Sequence, residues 1–345
     1  MTEIYSTDTD SGTLSVFEDA NGTVRKIATI RVGNAPRGSV RFTSDGRGFV
    51  SNTSTNTVSE IDGLTHEEIR RIEVGNGPRG LFIVGNEKYL LVSNSGSDSL
   101  SIVDLAIGKE VHQVPSGRDP RHMAVLNGFA YVSLWGEGNI AKFDIKSLGN
   151  DDVDGVKLVS TIKLAPEAFP YSLNIDESRN IALIACNAVH SIPVIDLETD
   201  TVCAHIPVRA SGVRAIAFSN DKKYAVATLE RDNSVAVINM DTFEVTRYID
   251  AGPAPRGIVT NPDNGAMYIA AFSRSTIARH DMPDWGSHGV TIINADSDVL
   301  SDQDSKVEMS SVKSGFGPCS VSLFDPASAR AARKNLEEQL NYHSL

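Results

Sequence analysis

Short runs in which apolar and polar residues alternate fill most of the chain, and Gly, Asn, Asp and Ser cluster between them. Alternation of this kind is the period of a half-buried strand, and the punctuating residues are those that tight turns require. The stretch 80–115 is the plainest case: it predicts four strands over roughly 80–85, 89–94, 99–105 and 110–115. Only the tail from about Pro326 has a helical stripe, with Ala329, Ala332, Leu336 and Leu340 on one face.

The four-strand unit recurs. VGNAPRG begins at Val32 and VGNGPRG at Val74, and related segments follow down the chain. Aligning the residue after the proline gives Arg37, Arg79, Arg121, Tyr171, Arg214, Arg256 and Cys319, with Val213 in place of the fifth proline. The spacings are 42, 42, 50, 43, 42 and 63 residues, and all but the last lie near the length of one propeller blade. Such a unit cannot bury both of its faces alone, so neighbours must stack, and a ring leaves no exposed end. The expectation is an all-β, seven-bladed β-propeller of four-stranded antiparallel blades. Six complete units run from about 33 to 312. The seventh combines an innermost strand at 317–324 with three outer strands from 3–30, EIYST, TLSVFE and VRKIATI. A single propeller domain over 1–325 and a helical tail over 326–345 follow.

These units resemble the YVTN family of seven-bladed propellers. The Val-Gly-x-x-Pro start is present, the turn reads Ser44-Asp45-Gly46, and the strand ends read Val50-Ser51-Asn52 and Val92-Ser93-Asn94. The resemblance covers nearly all of the chain except the tail and implies the fold. It leaves function open among binding proteins, lactonases and lyases. The 6-phosphogluconolactonase-like propellers are similar in length and repeat, and Pro120-Arg121-His122-Met123 resembles a stretch seen there.

In such a propeller the loop entering each innermost strand shares a face, the top, with the loop between the second and third strands. The aligned residues should therefore ring the mouth of the central channel, five of seven being arginine. Two guanidinium charges about 8 Å apart repel by about 2 kcal/mol at an effective dielectric near 20. Either acids such as Asp98, Glu137, Glu230 or Asp232 relieve the ring, or a bound anion does. His122 stands out because the equivalent positions hold Gly38, Gly80, Ser172, Ala215, Gly257 and Ser320. Trp135, Glu137, Glu230, Arg231 and Asp232 should reach the mouth from their turns, and His190 occupies a similar loop.

The insertion 273–289 lies between second and third strands, hence on top, and carries Arg274, Arg279, His280, Asp281, Asp284, Trp285 and His288. It reads as a lid. His280 beside Asp281, or His122, or Glu230, could move a proton, while Trp285, His288 and Trp135 could cover substrate. His280, Asp281 and His288 are also ligand types for a divalent metal, although no HExxH or CxxC spacing is present and no cofactor is required. Cys319 completes the ring and Cys186 ends a second strand, which makes each a candidate thiol near the top.

Charge then narrows the partners. The chain of 345 residues has 32 basic and 44 acidic side chains, net −12. That balance disfavours a nucleic-acid binder. Much of the excess falls on bottom loops at Asp151, Asp152 and Asp154 and at Asp296, Asp298, Asp302 and Asp304, without the ligand order of a calcium loop. No apolar run is long enough to span a bilayer, the first residues do not read as a secretory signal, and three scattered cysteines make no disulfide framework. A soluble, cytoplasmic, monomeric protein is expected. It would be an enzyme performing lactone hydrolysis, elimination or isomerisation on a small anionic molecule. The alternative is a non-catalytic module that binds a protein or peptide on its top face.

Overall fold

The computed structural model describes residues 1–20, 22–272, 288–294, 297–302 and 306–343, the side chains of 340–343 excepted. The described strands form seven four-stranded antiparallel sheets arranged as the blades of a propeller. In blade 2 the strands run outward from the axis as Pro78–Val84, Tyr89–Asn94, Ser99–Asp104 and Lys109–Pro115. These bounds lie within two residues of the pattern-based expectation. Blades 1 and 3 to 6 repeat the plan over 36–73, 120–163, 170–207, 213–250 and 255–313. Blade 7 is built from both ends of the chain: Pro318–Phe324 pairs with Thr2–Asp8, which pairs with Thr13–Ala20, then Thr23–Arg31.

Burial follows radial position. Second strands such as Tyr89–Asn94 and Ile181–Cys186 are buried at every residue because they face a neighbouring blade on both sides. Outermost strands such as Glu67–Glu73 alternate exposed and sheltered positions. The cores therefore lie between blades. Phe49 and Val58 of blade 1 pack with Leu81, Leu90 and Val103 of blade 2, and Leu91 and Ile102 pack with Val132 and Phe143 of blade 3. Each such side chain contributes about 1.5–3 kcal/mol.

Among the described residues helix enters at three places. The tail forms Pro326–His343 as expected. Two short turns not anticipated from the pattern, Lys146–Asn150 and Ser297–Ser301, sit in the bottom insertions of blades 3 and 6. Only the start of the tail docks: Ala329 is buried against blade 1, and Arg333 pairs with both carboxylate oxygens of Asp62 at 2.9 and 3.0 Å. Leu336 on the same stripe is exposed. No described helix is long and apolar enough to cross a membrane.

Candidate functional site

The mouth of the channel is built by one local device used seven times. The residue before each innermost strand takes a left-handed backbone, as at Ala35, Gly77, Asp119, Phe169, Gly212, Ala254 and Gly317. Its carbonyl accepts the backbone N–H of the residue just beyond the blade's second strand, for example Thr53 to Ala35 at 3.1 Å and Ser95 to Gly77 at 2.9 Å. The entry loop and the second-to-third turn are thereby joined on one face, as the sequence pattern required.

A second device holds the ring backbone. The hydroxyl of Ser51 donates to the Arg37 carbonyl at 2.8 Å and faces the Arg79 carbonyl of the next blade at 2.7 Å. Ser93 reaches the Arg121 carbonyl, Ser133 that of Tyr171 and Thr228 that of Arg256. Where blade 4 has Ala185 instead, Ser172 supplies the hydroxyl to the Arg214 carbonyl at 2.7 Å. The clamp residues Ser51 and Ser93 are the middle residues of the strand ends Val50-Ser51-Asn52 and Val92-Ser93-Asn94.

Ser95, Trp135, Glu230 and Phe272, at or just beyond the top ends of the second strands, form a companion ring that partners four of the aligned arginines. Arg79 Nε donates to Ser95 Oγ at 2.9 Å. Arg121 stands 4.7 Å over Trp135 and pairs with Asp119 at 2.6 Å. Arg214 and Arg256 share Glu230 at 2.5 Å each, and Arg256 also lies 3.4 Å over Phe272. Burial would raise the Glu230 carboxyl, but Arg214 and Arg256 outweigh it and hold it below the usual range. Among the described residues five arginines thus divide two carboxylates, and Arg37 and Arg79 have none. Burial, then Arg121, lowers the Arg79 pKa to about 10. Among the described residues Arg37 Nε, Arg121 Nε and Asn187 Nδ2 are buried donors without an acceptor, and Asp119 Oδ1, Asn52 Oδ1 and Asn94 Oδ1 are buried acceptors without a donor on the same face.

Inside the ring lies a channel cavity of about 510 Å³, walled by the seven innermost strands and free of Asp and Glu. His122 enters it. At the equivalent level the neighbours are small because strands touch there: a Cβ on Gly80 would overlap the Arg121 carbonyl and sit 2.8 Å from the His122 Cα. The imidazole packs 5.2 Å from the Tyr171 ring and makes no hydrogen bond among the described residues. Burial, followed by Arg79, Arg41 and Arg121, pushes its pKa down to about 3, so the ring is neutral throughout the physiological range.

The remaining expected residues fall into place unevenly. Trp135 and Tyr171 meet edge to face at 5.8 Å, and Arg214 lies 4.6 Å over Tyr171, which joins them to the cluster. Cys319 is buried beside Arg256, Arg37 and Arg214, which outweigh its burial and lower its pKa. Cys186 is pushed up to about 12 by burial and belongs to the core between blades 3 and 4. Asp98 and Glu137 accept backbone N–H groups at Asp119 and Arg118, and Asp232 pairs with Arg209, so none of these neutralises the ring. Arg231 donates to Ser211, and His190 is exposed. His288 accepts the Gly317 N–H at 3.2 Å and is lowered by burial. Arg274, Arg279, His280, Asp281, Asp284 and Trp285 lie outside the described residues, as do Asp296 and Asp304. Asp151 and Asp154 tie the lower loop to Lys88 and His112 of blade 2. Among the described residues no three His, Cys, Asp or Glu side chains gather as a metal site.

Comparison with known proteins agrees with this architecture. No curated protein matches the chain. A Bacteroides uniformis protein with a provisional 6-phosphogluconolactonase assignment superposes with TM-score 0.76 at 14% identity, covering 94% of this chain and 99% of its own. A Bacteroides fragilis protein with the same provisional assignment gives 0.74 at 15% over 94% and 98%. A chain of Kuenenia stuttgartiensis hydrazine synthase gives 0.67 at 19% over 88% and 92%. At these identities the likeness is one of fold. Residues 27–165, from the last strand of blade 7 through blade 3, match the model of the YNCE-like beta-propeller family, and the chain as a whole is a seven-bladed β-propeller.

Proposed function

We propose that the mouth binds a small anionic molecule and that the protein is an enzyme acting on it by acid–base chemistry. One observation carries this reading: among the described residues three buried donors at the mouth lack acceptors, and two of its arginines lack a carboxylate. A desolvated donor without a partner costs about 1–3 kcal/mol, more when charged. An incoming carboxylate or phosphate would satisfy several at once. The cavity has the volume of a small-molecule site.

His122 suits the base role. It is neutral, so it can accept a proton, and an anion among the arginines offsets the field that depresses its pKa. Its basicity would then rise when substrate arrives. Glu230, held ionised by two arginines, positions them; Trp135 and Tyr171 flank the bound group. Lactone hydrolysis, elimination and isomerisation all need this acid–base set, and the provisional assignment of the two Bacteroides neighbours favours the first.

The test is a thermal-shift screen against carboxylates, sugar phosphates and lactones, with and without divalent metal and chelator. A ligand at about 100 times its Kd should add about 2.7 kcal/mol. The shift should vanish in Arg37→Ala and Arg79→Ala, while His122→Gln should keep the shift and lose turnover. If no anion raises the melting temperature, or both arginine variants respond as the native chain does, the mouth is not an anion site. A stable complex with a host protein lost on replacing Arg256 would favour the peptide-binding alternative.

A further inference from the structure

Arg41 took no part in the sequence pattern that marked the mouth, yet it stands in the channel. It lies four residues beyond Arg37 on the innermost strand Pro36–Phe42 and lines the cavity. Its Nε donates to the Leu81 carbonyl at 3.0 Å, and its guanidinium stands 5.2 Å from the centre of the Phe82 ring. Among the described residues it has no other hydrogen bond and no carboxylate partner. Burial lowers its pKa, but a guanidinium remains charged at any physiological pH.

Register fixes its level. Arg41 pairs opposite Phe49, and the positions that pair equivalently in the other blades are Phe82, Ala124, Asn174, Ala217, Val259 and Ser322. None is acidic. Asn174 is itself engaged, its Nδ2 donating to the Ile216 carbonyl at 3.0 Å. The level of His122 is two residues above Ala124, and the ring residues lie above that. Three to four strand residues separate the ring from Arg41, roughly 10 Å of backbone rise. Between the two levels the wall is Gly38, Ser172, Ala215, Gly257 and Ser320, which leaves the channel open around the imidazole.

The channel therefore presents cations at two heights, with a neutral histidine between them and no acid in its wall. We propose that it holds a rod-shaped α,ω-dicarboxylate, one carboxylate among Arg37 and Arg79 at the mouth and the other on Arg41. A carboxylate, with one negative charge, matches the single guanidinium at the lower level, whereas a phosphate dianion calls for two. At the lower level Phe82, Ala124 and Val259 are apolar, and the polar Asn174 and Ser322 already bond the Ile216 carbonyl and the Val40 N–H, which favours an unsubstituted chain over a hydroxylated one. This assignment rests on the mouth being an anion site and adds to it a length and a second charge.

The experiment measures affinity, by calorimetry on the full chain, for inorganic phosphate, for butyrate, hexanoate, octanoate and decanoate, and for succinate, adipate, suberate and sebacate. The native protein should prefer one diacid over its matching monoacid by about tenfold or more. In Arg41→Met the preference should collapse to about twofold or less, while phosphate affinity stays as in the native protein. Arg41→Lys, which keeps the charge but not the fork, should fall between and guards against Arg41→Met failing to fold. If monoacids or phosphate bind but no diacid binds better, or if both variants keep the preference, the second subsite is refuted and the mouth stands. If neither phosphate nor any acid binds the native chain, the mouth reading fails and this inference with it.

Discussion

His122 shows how one residue reports its surroundings. Every equivalent position is small because neighbouring innermost strands touch there, and a histidine fits only by projecting into the channel. Buried among Arg79, Arg41 and Arg121, it has a folded pKa of about 3, against about 6.5 for an unfolded histidine. Between those values the unfolded chain binds a proton that the folded one does not. Stability from this group is therefore full above about pH 6.5 and falls as the pH drops toward about 3. The ceiling on the slope is about 1.4 kcal/mol per pH unit, and channel water lowers the realised value. His122→Gln should flatten that part of the profile in urea unfolding measured between about pH 4.5 and about pH 7. An equally steep decline in the variant would place the titrating group elsewhere. The anomaly of His122 was legible as a break in the repeat. Arg41 was not, because alternation marks a strand residue as inward or outward, and only three-dimensional register tells a channel from a core.

At the scale of the element, the innermost strand is where sequence rules are strictest. It must enter through a left-handed residue, presents a long side chain at the mouth in six of the seven blades, then narrows so that its neighbour's carbonyl can pass. Gly80 is the clearest instance. Its N–H donates to Ser93 Oγ at 2.8 Å, and a methyl there meets both the Arg121 carbonyl and the His122 Cα, backbone that cannot swing aside. Overpacking of this kind costs about 1–3 kcal/mol. Gly80→Ala should lower the urea midpoint accordingly and also weaken anion binding, because it displaces the strand that carries Arg121 and His122. Unchanged stability would mean that blades 2 and 3 can separate without cost. The sequence made the strands and the ring readable because repetition aligned them. In the companion ring Trp135 and Glu230 are legible as polar or aromatic residues of the second-to-third-strand turns, whereas Ser95 and Phe272 are not, since the four side chains have no composition in common and only the fold shows that they partner the arginines.

For the whole molecule the decisive feature is how the ring shuts. Blade 7 joins the two ends of the chain, with Pro318–Phe324 against Thr2–Asp8. Cys319, Val321 and Phe324 of the closing strand are each no more than 5% exposed, and Phe324 stacks on Phe42 of blade 1 with ring centres 4.5 Å apart. Burying Val and Phe alone contributes about 1.5–3 kcal/mol each. With the strand's ladder bonds and the interfaces it completes on both sides, the loss approaches the entire stability of a typical domain, about 5–15 kcal/mol. The tail beyond Asp325 contributes far less, through Ala329 and the partly exposed Arg333–Asp62 pair, about 1–2 kcal/mol in total. Two truncations separate these contributions. A chain ending at Asp325 should unfold cooperatively in urea at a slightly lower midpoint and keep its anion response. A chain ending at Lys313 lacks the closing strand, exposes the edge at Thr2–Asp8, and should lose the cooperative transition and aggregate. Should the shorter chain melt as sharply as the longer one, closure would not govern stability, and six blades with three outer strands would have to hold the ring by stacking alone.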